Sequence, residues 1–270
     1  MTDAPSDQLA DLRAFALRLA DVARDETLSR FRNGATVFEK AGPVFDPVTD
    51  ADREAERAQR ALINETHPDH GVLGEEFGEQ DAASPWRWVL DPVDGTRAFM
   101  CGAPSWMTLI ALEYEGAPVL GVLDQPFTDE RWIGAVTQAF YRRGAQETAC
   151  RTSGVTCLKD ARVSTTDPRA SAYFGERDGA RFDRVAGEAR VARFSLDAYA
   201  YALLAIGELD LVLETGLQRH DWAALAPVVT GAGGVVTDWR GDPVGAGDDG
   251  AILAAATPQL HEEALALLSA

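Results

Sequence analysis

A mixed α/β fold in two halves, with no flexible hinge between them, is what this sequence predicts. Three observations carry the prediction. Apolar residues near the N-terminus recur at helical spacing, short apolar runs end in carboxylates, and helix and strand patterns alternate after about residue 195. The chain has 270 residues, enough for one large unit or two intimate halves, and a chain of this size buries roughly three quarters of its unfolded surface. We place the halves at about residues 1–140 and 141–270. Neither an internal repeat nor a low-complexity linker separates them.

From Asp7 to about Arg30, residues Leu9, Leu12, Phe15, Leu19 and Val22 mark an amphipathic helix. A second helix follows Thr49, with Ala55, Ala58, Leu62 and Ile63 inward and Pro68 past its end. "GVLGEE" and "WRWVLD" read as short buried strands that each deliver acids at their C-terminal ends. "SWMTLIALEYEGAPVLGVLDQP" predicts a hairpin turning around Glu115-Gly116, and "ERWIGAV" continues the sheet. Residues 142–195 are polar and show no clear period. Beyond them "LDAYAYALLAIGEL", "DLVLE", "DWAALAPVVTGAGG" and "VVTDW" read as helix, strand, helix, strand. "AILAAA" is a further strand, and Thr257-Pro258 opens a last helix as cap and first-turn proline.

Composition excludes several classes of partner. The formal charge of −18 repels nucleic acid and anionic membranes, so handling a phosphate would require metal ions as mediators. Cys101, Cys150 and Cys157 are odd in number and lack metal-type spacing, so neither a disulfide framework nor a zinc site is expected. No apolar run reaches the length of a membrane span, and "MTDAPSDQLADL" lacks a basic start followed by an apolar stretch. The expected address is the cytoplasm. Basic residues are lopsided, 23 arginines against Lys40 and Lys159, and Lys40 precedes the first acidic motif.

Four acidic clusters stand out, and each has an ordinary structural role open to it. Thr49 and Asp52 in "PVTDADREAE" fit a capping box. Glu75 and Glu76 in "GEEFG" fit a solvated loop, and Asp91-Pro92 and Asp94-Gly95 fit turns. Asp221 in "RHDWAAL" fits an N-cap. Three of the four clusters follow directly on strands or open helices, which is where α/β proteins collect ligands. Carboxylates with no Cys or His ligand pattern select hard cations, Mg²⁺ above all. Pro92 stiffens the link so that Asp91 and Asp94 can face one cation pair, with the Val93 carbonyl between them. Gly95 and Thr96 open a helix whose free N–H groups offer a phosphate site. Thr96 and Asp52 could hold and deprotonate an attacking water.

In these residues the chain resembles the inositol monophosphatase superfamily of Mg²⁺-dependent phosphomonoesterases. The family pattern Asp-Pro-x-Asp-Gly-Thr is met by Asp91, Pro92, Val93, Asp94, Gly95 and Thr96. Its Gly-Glu-Glu is met by Gly74, Glu75 and Glu76, and its Val-Thr-x-x-Asp by Val48, Thr49 and Asp52. Its last aspartate, followed by a small-residue helix and a glycine-rich stop, is met by Asp221 and "GAGGVV". The resemblance implies a layered αβαβα sandwich and a homodimer. It implies Glu75, Asp91, the Val93 carbonyl, Asp94 and Asp221 as metal ligands, with Glu75, Asp52 and Thr96 as the catalytic set. Gly95 and Thr96 would bind phosphate, and Glu214 would face the substrate. One departure is that the family usually has tryptophan before the last aspartate, whereas here it is His220, with Trp222 after.

For substrate, "GVLDQPFTDERWIG", "SWMTLIAL" and "DAYAYALLAIGELDLVLETGL" are more similar to the histidinol-phosphatase branch than to inositol phosphatases proper. Histidinol phosphate carries an ammonium and an imidazole, with which Asp197 and Glu214 could pair. Capping of the helix at "LDAYAY" is the alternative for Asp197. The competing expectations are a phosphatase for inositol phosphate, a sugar bisphosphate or a phosphonucleotide, and a divalent-cation-binding protein without turnover.

Overall fold

Side chains alternate along the central strands so that both faces of the larger sheet are apolar, and helices must therefore cover both. The structure, a computed structural model, describes residues 6–39, 47–169, 173–246 and 250–269. Lys40 lies outside them. Helix α1 (Ser6–Arg30) leads to the antiparallel pair β1 (Val37–Glu39) and β2 (Pro47–Thr49), then to α2 (Asp50–Thr66). Strands β3 (Gly71–Gly74), β4 (Gly78–Gln80) and β5 (Trp86–Asp94) precede α3 (Thr96–Met100). The meander β6 (Met107–Tyr114), β7 (Ala117–Gln125), β8 (Glu130–Ala135), β9 (Gln138–Arg143) and β10 (Gln146–Ala149) follows. The rest of the chain supplies β11 (Arg162–Thr165), α4 (Gly175–Glu188), β12 (Val191–Phe194), α5 (Tyr199–Ala205) and β13 (Leu211–Glu214). It ends with α6 (Arg219–Trp222), α7 (Leu225–Gly231), β14 (Val235–Thr237), β15 (Ile252–Ala255) and α8 (Pro258–Ser269).

An eight-stranded sheet runs β10-β9-β8-β7-β6-β5-β3-β4, and a five-stranded sheet runs β12-β11-β13-β15-β14. Trp88, Leu90, Ile110, Leu112 and Val122 pack under α1 and Ile63 of α2. On the opposite face Val89, Leu109, Leu123 and Trp132 meet α5 and α7, which also pack on Val212 and Ala254 of the smaller sheet. Leu211, Leu213 and Leu253 then face α4 and α8. The layers are thus α1/α2, large sheet, α5/α7, small sheet, α4/α8: the αβαβα sandwich. Full burial of each such side chain contributes about 1.5–3 kcal/mol. A buried ion pair, Arg131 with Asp124 at 2.6 Å, ties β8 to β7, and Arg131 also reaches Asp21 of α1. The larger sheet extends along the chain to Ala149.

Several local features differ from the sequence reading. The strand through "WRWVLD" continues to Asp94 instead of stopping at Asp91, and it absorbs the motif through a bulge opposite β6. The apolar run "DWAALAPVVTGAGG" is two short helices, not one; Pro227 sits in the first turn of α7, where its missing N–H costs nothing. The stretch 142–195 holds β11 and β12, whose order comes from partners distant in the chain.

Candidate active site

Two parallel strand pairs, one in each sheet, end at the same pocket. In the larger sheet β3 runs parallel to β5 with Gly74 opposite Leu90, so Glu75 and Asp91 emerge side by side. In the smaller sheet β11 runs parallel to β13 with Ser164 opposite Val212, which sets Thr166 beside Glu214. The C-terminal ends of parallel strands are the usual ligand site of such sheets. Between them lies a cavity of about 560 Å³ lined by Glu75, Asp91, Asp94, Thr96, Asp197, Glu214 and Asp221, among others.

Asp91, Asp94 and Asp221 each offer a carboxylate oxygen within 4.8 Å of the others. Burial, then Glu75, Asp94 and Asp221, drive the Asp91 carboxyl well above the usual carboxylate range. Burial, then Asp197 and Asp221, do the same to Asp94, although one of its oxygens accepts the Ala198 N–H at 2.7 Å. Acids that raise one another in this way gain most from a shared cation, and an all-oxygen donor set fits a hard one. The Val93 carbonyl also lines the cavity; it accepts the Thr96 hydroxyl at 3.1 Å and keeps a second lone pair. Val93 N–H donates to Asp91 Oδ1 at 3.1 Å, so the backbone of the motif orients its own ligand.

Asp221 is the third residue of α6 and not its N-cap; Gln218 caps, and Asp221 Oδ2 accepts the Gln218 N–H at 2.6 Å. His220 Nε2 lies 3.4 Å from Asp221 Oδ1, against the carboxylate, and also lines the cavity. Gly95 has φ of 80°, the left-handed region that lets the chain leave β5 and enter the five-residue α3. A side chain there would also collide with Asp197, whose Cγ lies 3.0 Å from an added Cβ.

Asp52 does two things at once. As the third residue of α2 it completes the capping box, its Oδ2 accepting the Thr49 N–H at 3.0 Å and the Thr49 hydroxyl at 2.5 Å. Its other oxygen lies 3.3 Å from the Thr96 hydroxyl. Burial pushes the Asp52 carboxyl up to about 7, against the lowering effect of the Thr49 hydrogen bonds.

Asp197 and Glu214 both reach the cavity, in different states. Asp197 has φ of 50° and does not cap α5, whose N-cap is Ala198; its Oδ2 instead accepts from Ser105 Oγ at 3.5 Å. Burial raises its carboxyl to about 6, with Ser105 and Arg97 pulling the other way. Glu214 is already engaged: Oε1 accepts the Thr166 N–H at 3.0 Å and the Thr166 hydroxyl, and Oε2 accepts the Tyr201 hydroxyl at 3.1 Å. Burial raises it to about 7. Sequence reasoning missed Thr166, Tyr201 and Ser105, and it missed Arg97, which lies over the Tyr173 ring at 5.2 Å on the cavity wall.

Comparison with known proteins gives a consistent picture. The sequence profile described as the inositol monophosphatase family matches residues 8–270. A histidinol-phosphatase from Mycobacterium tuberculosis is 36% identical over 258 residues, covering 94% of this chain and 96% of that protein. The chloroplastic bifunctional phosphatase IMPL2 of Arabidopsis thaliana is 40% identical over 225 residues; the match covers 83% of this chain but only 63% of that longer protein. Among solved structures, an inositol monophosphatase from Zymomonas mobilis superimposes with a TM-score of 0.84 at 39% identity, covering 97% of this chain and 98% of that one.

Proposed function

The chain belongs to the inositol monophosphatase family and is a phosphoric monoester hydrolase; within that family we propose a Mg²⁺-dependent enzyme that hydrolyses L-histidinol phosphate to L-histidinol and phosphate in histidine biosynthesis. The observation that carries the substrate reading is the pair Asp197 and Glu214, two acids on the cavity wall outside the Asp91, Asp94 and Asp221 cluster. A leaving group with an ammonium and an imidazole finds charge-assisted acceptors there. The histidinol-phosphatase relative supports the same reading.

In this account Glu75, Asp91, the Val93 carbonyl, Asp94 and Asp221 hold magnesium. The bound ion supplies the positive charge that a phosphate dianion needs among so many carboxylates. Backbone N–H groups of Gly95 and Thr96 face the phosphate. Thr96 Oγ orients the attacking water, and Asp52, 3.3 Å from that hydroxyl, receives the proton. Asp197 serves as the freer of the two leaving-group acids, because Glu214 already accepts from Thr166 and Tyr201. Its protein-held oxygens make Glu214 the more fixed acceptor of the two. A homodimer in the cytoplasm completes the proposal. No helix among the described residues is long and apolar enough to cross a membrane.

A second reading, a phosphatase for inositol phosphate, a sugar bisphosphate or a phosphonucleotide, is favoured by Thr165, Thr166 and Thr215 on the cavity wall, which suit neutral hydroxyls. A cation-binding protein without turnover would have no use for the Thr96–Asp52 contact. Initial-rate kinetics on a panel of histidinol phosphate, inositol 1-phosphate, glycerol phosphate and a phosphonucleotide tests the substrate. The highest kcat/KM is expected for histidinol phosphate; a preference for inositol 1-phosphate would overturn that assignment and leave the phosphatase intact.

A further inference from the structure

Glu56 is a fully buried carboxylate outside the cavity lining, one helical turn after Asp52 on α2. Helix geometry puts residues four apart on one face, so a single face of α2 presents both acids inward. Asp52 turns toward Thr96, whereas Glu56 turns toward the loop after β3. Its Oε2 accepts the Glu76 N–H at 2.8 Å, and its Oε1 accepts the Phe77 N–H at 3.3 Å and Arg60 Nε at 2.7 Å. Glu75 itself is held from the other side, its N–H donating to Leu90 O at 3.1 Å. The backbone of Glu75 is thus pinned between the strand that carries Asp91 and the carboxylate of Glu56.

The glycine that opens this turn fits the same contact. Gly74 does not have a positive φ; what it lacks is room, because an added Cβ would sit 1.9 Å from Glu56 Oε1. Only glycine lets the buried carboxylate come this close to the loop. Arg60 balances the charge of Glu56 and also donates to Gly78 O, closing the far end of the same turn.

We infer that Glu56 is a positioning residue for metal binding: it fixes the Glu75 turn so that the Glu75 carboxylate stays beside Asp91. The inference rests on Glu75 being a metal ligand, as proposed above. Carboxylates that orient ligands from outside the coordination sphere typically contribute roughly 10–100-fold to metal affinity. Glu56→Gln keeps the shape but turns an N–H donor toward at least one of the amides or Arg60.

The test titrates the full chain with Mn²⁺ and follows the electron paramagnetic resonance signal of the free ion, alongside thermal unfolding without metal. For E56Q the expected result is Mn²⁺ binding weakened by roughly 10-fold or more, with kcat at saturating metal falling much less. E56D, which keeps the charge but is one methylene short, is expected to fall between E56Q and wild type. A folded E56Q with wild-type Mn²⁺ affinity overturns the inference, as does a loss of kcat at unchanged metal affinity. Should E56Q fail to fold, E56D decides, since wild-type affinity in that variant overturns it too. Glu75→Ala separates the two readings. Wild-type affinity there removes Glu75 as a ligand; weakened affinity there beside normal affinity in E56Q and E56D removes only the role of Glu56.

Discussion

Asp91 and Asp94, at the end of the larger sheet, are surrounded mainly by burial and other acids, whereas Glu214, at the end of the smaller sheet, accepts hydrogen bonds from Thr166 and Tyr201. Both regions place carboxylates at the C-terminal end of a parallel strand pair. Yet Asp91 and Asp94 each accept a backbone N–H among other acids, whereas both oxygens of Glu214 are held by hydroxyl or N–H donors. The acids of the first region repel one another and call for a cation from outside the protein. Glu214 has both of its oxygens engaged by the protein. We read the first region as the part that performs the chemistry and the second as the part that selects what it acts on.

If that division is right, damage to the two regions should differ in kind as well as size. The largest effect is expected from Asp94→Asn. A neutral amide is a poor ligand for a hard cation, so turnover should fall by on the order of 10³-fold while the fold survives. Circular dichroism and phosphate release together check this, and a normal rate would exclude Asp94 as a ligand. Asp52→Asn comes next. Asparagine can still accept the Thr49 N–H, so helix α2 should lose no more than about 1 kcal/mol. The base is lost, however, and kcat should drop on the order of 10²-fold. Wild-type turnover in that variant would leave Asp52 as a capping residue alone.

The smallest effects belong to the second region. Asp197→Asn and Glu214→Gln should each raise KM for histidinol phosphate by about tenfold, the size of one charge-assisted hydrogen bond. KM for glycerol phosphate should move much less, because that substrate offers no cation to pair. Equal losses on both substrates would mean general damage to the site and would break the division between chemistry and selection. Asp197 should show the larger selectivity, since its carboxylate accepts the Ser105 hydroxyl only at 3.5 Å, whereas Glu214 accepts from Thr166 and Tyr201 at shorter distances.

The same contrast governs how much could be read without a structure. The first region is written in contiguous runs: Asp91 to Thr96 lie within six residues, and Glu75 follows directly on an apolar strand. Such runs carry their own geometry, through the proline, the glycine and the strand end. The mixed α/β class was legible for the same reason, since Leu12, Phe15 and Leu19 show a helical period and "WRWVLD" a strand run locally, whereas the layered order came from the family resemblance. The second region is assembled across distance. Thr166 meets Glu214 from 48 residues away, and Ser105 meets Asp197 from 92, so no local pattern announces either contact. Thr166 also lies in the polar stretch 142–195, just past the four-residue strand β11, which takes its place in the smaller sheet from β13 on one side and β12 on the other. Glu56 stood in plain view beside Asp52, and its signal was the four-residue spacing on one face of α2. The positive φ of Ser195 and Asp197 left no signal in residues that are not glycine.

The claim on which the rest depends is that the acids of the first region work through a divalent cation. Its most direct measurement is phosphate release from histidinol phosphate by the full chain, first after exhaustive chelation and then during back-titration with Mg²⁺. The expected result is negligible turnover in chelator, restored by Mg²⁺ in the millimolar range, as suits weakly held and largely hydrated ions. Full turnover in the chelated protein, unchanged by added Mg²⁺, would contradict the account.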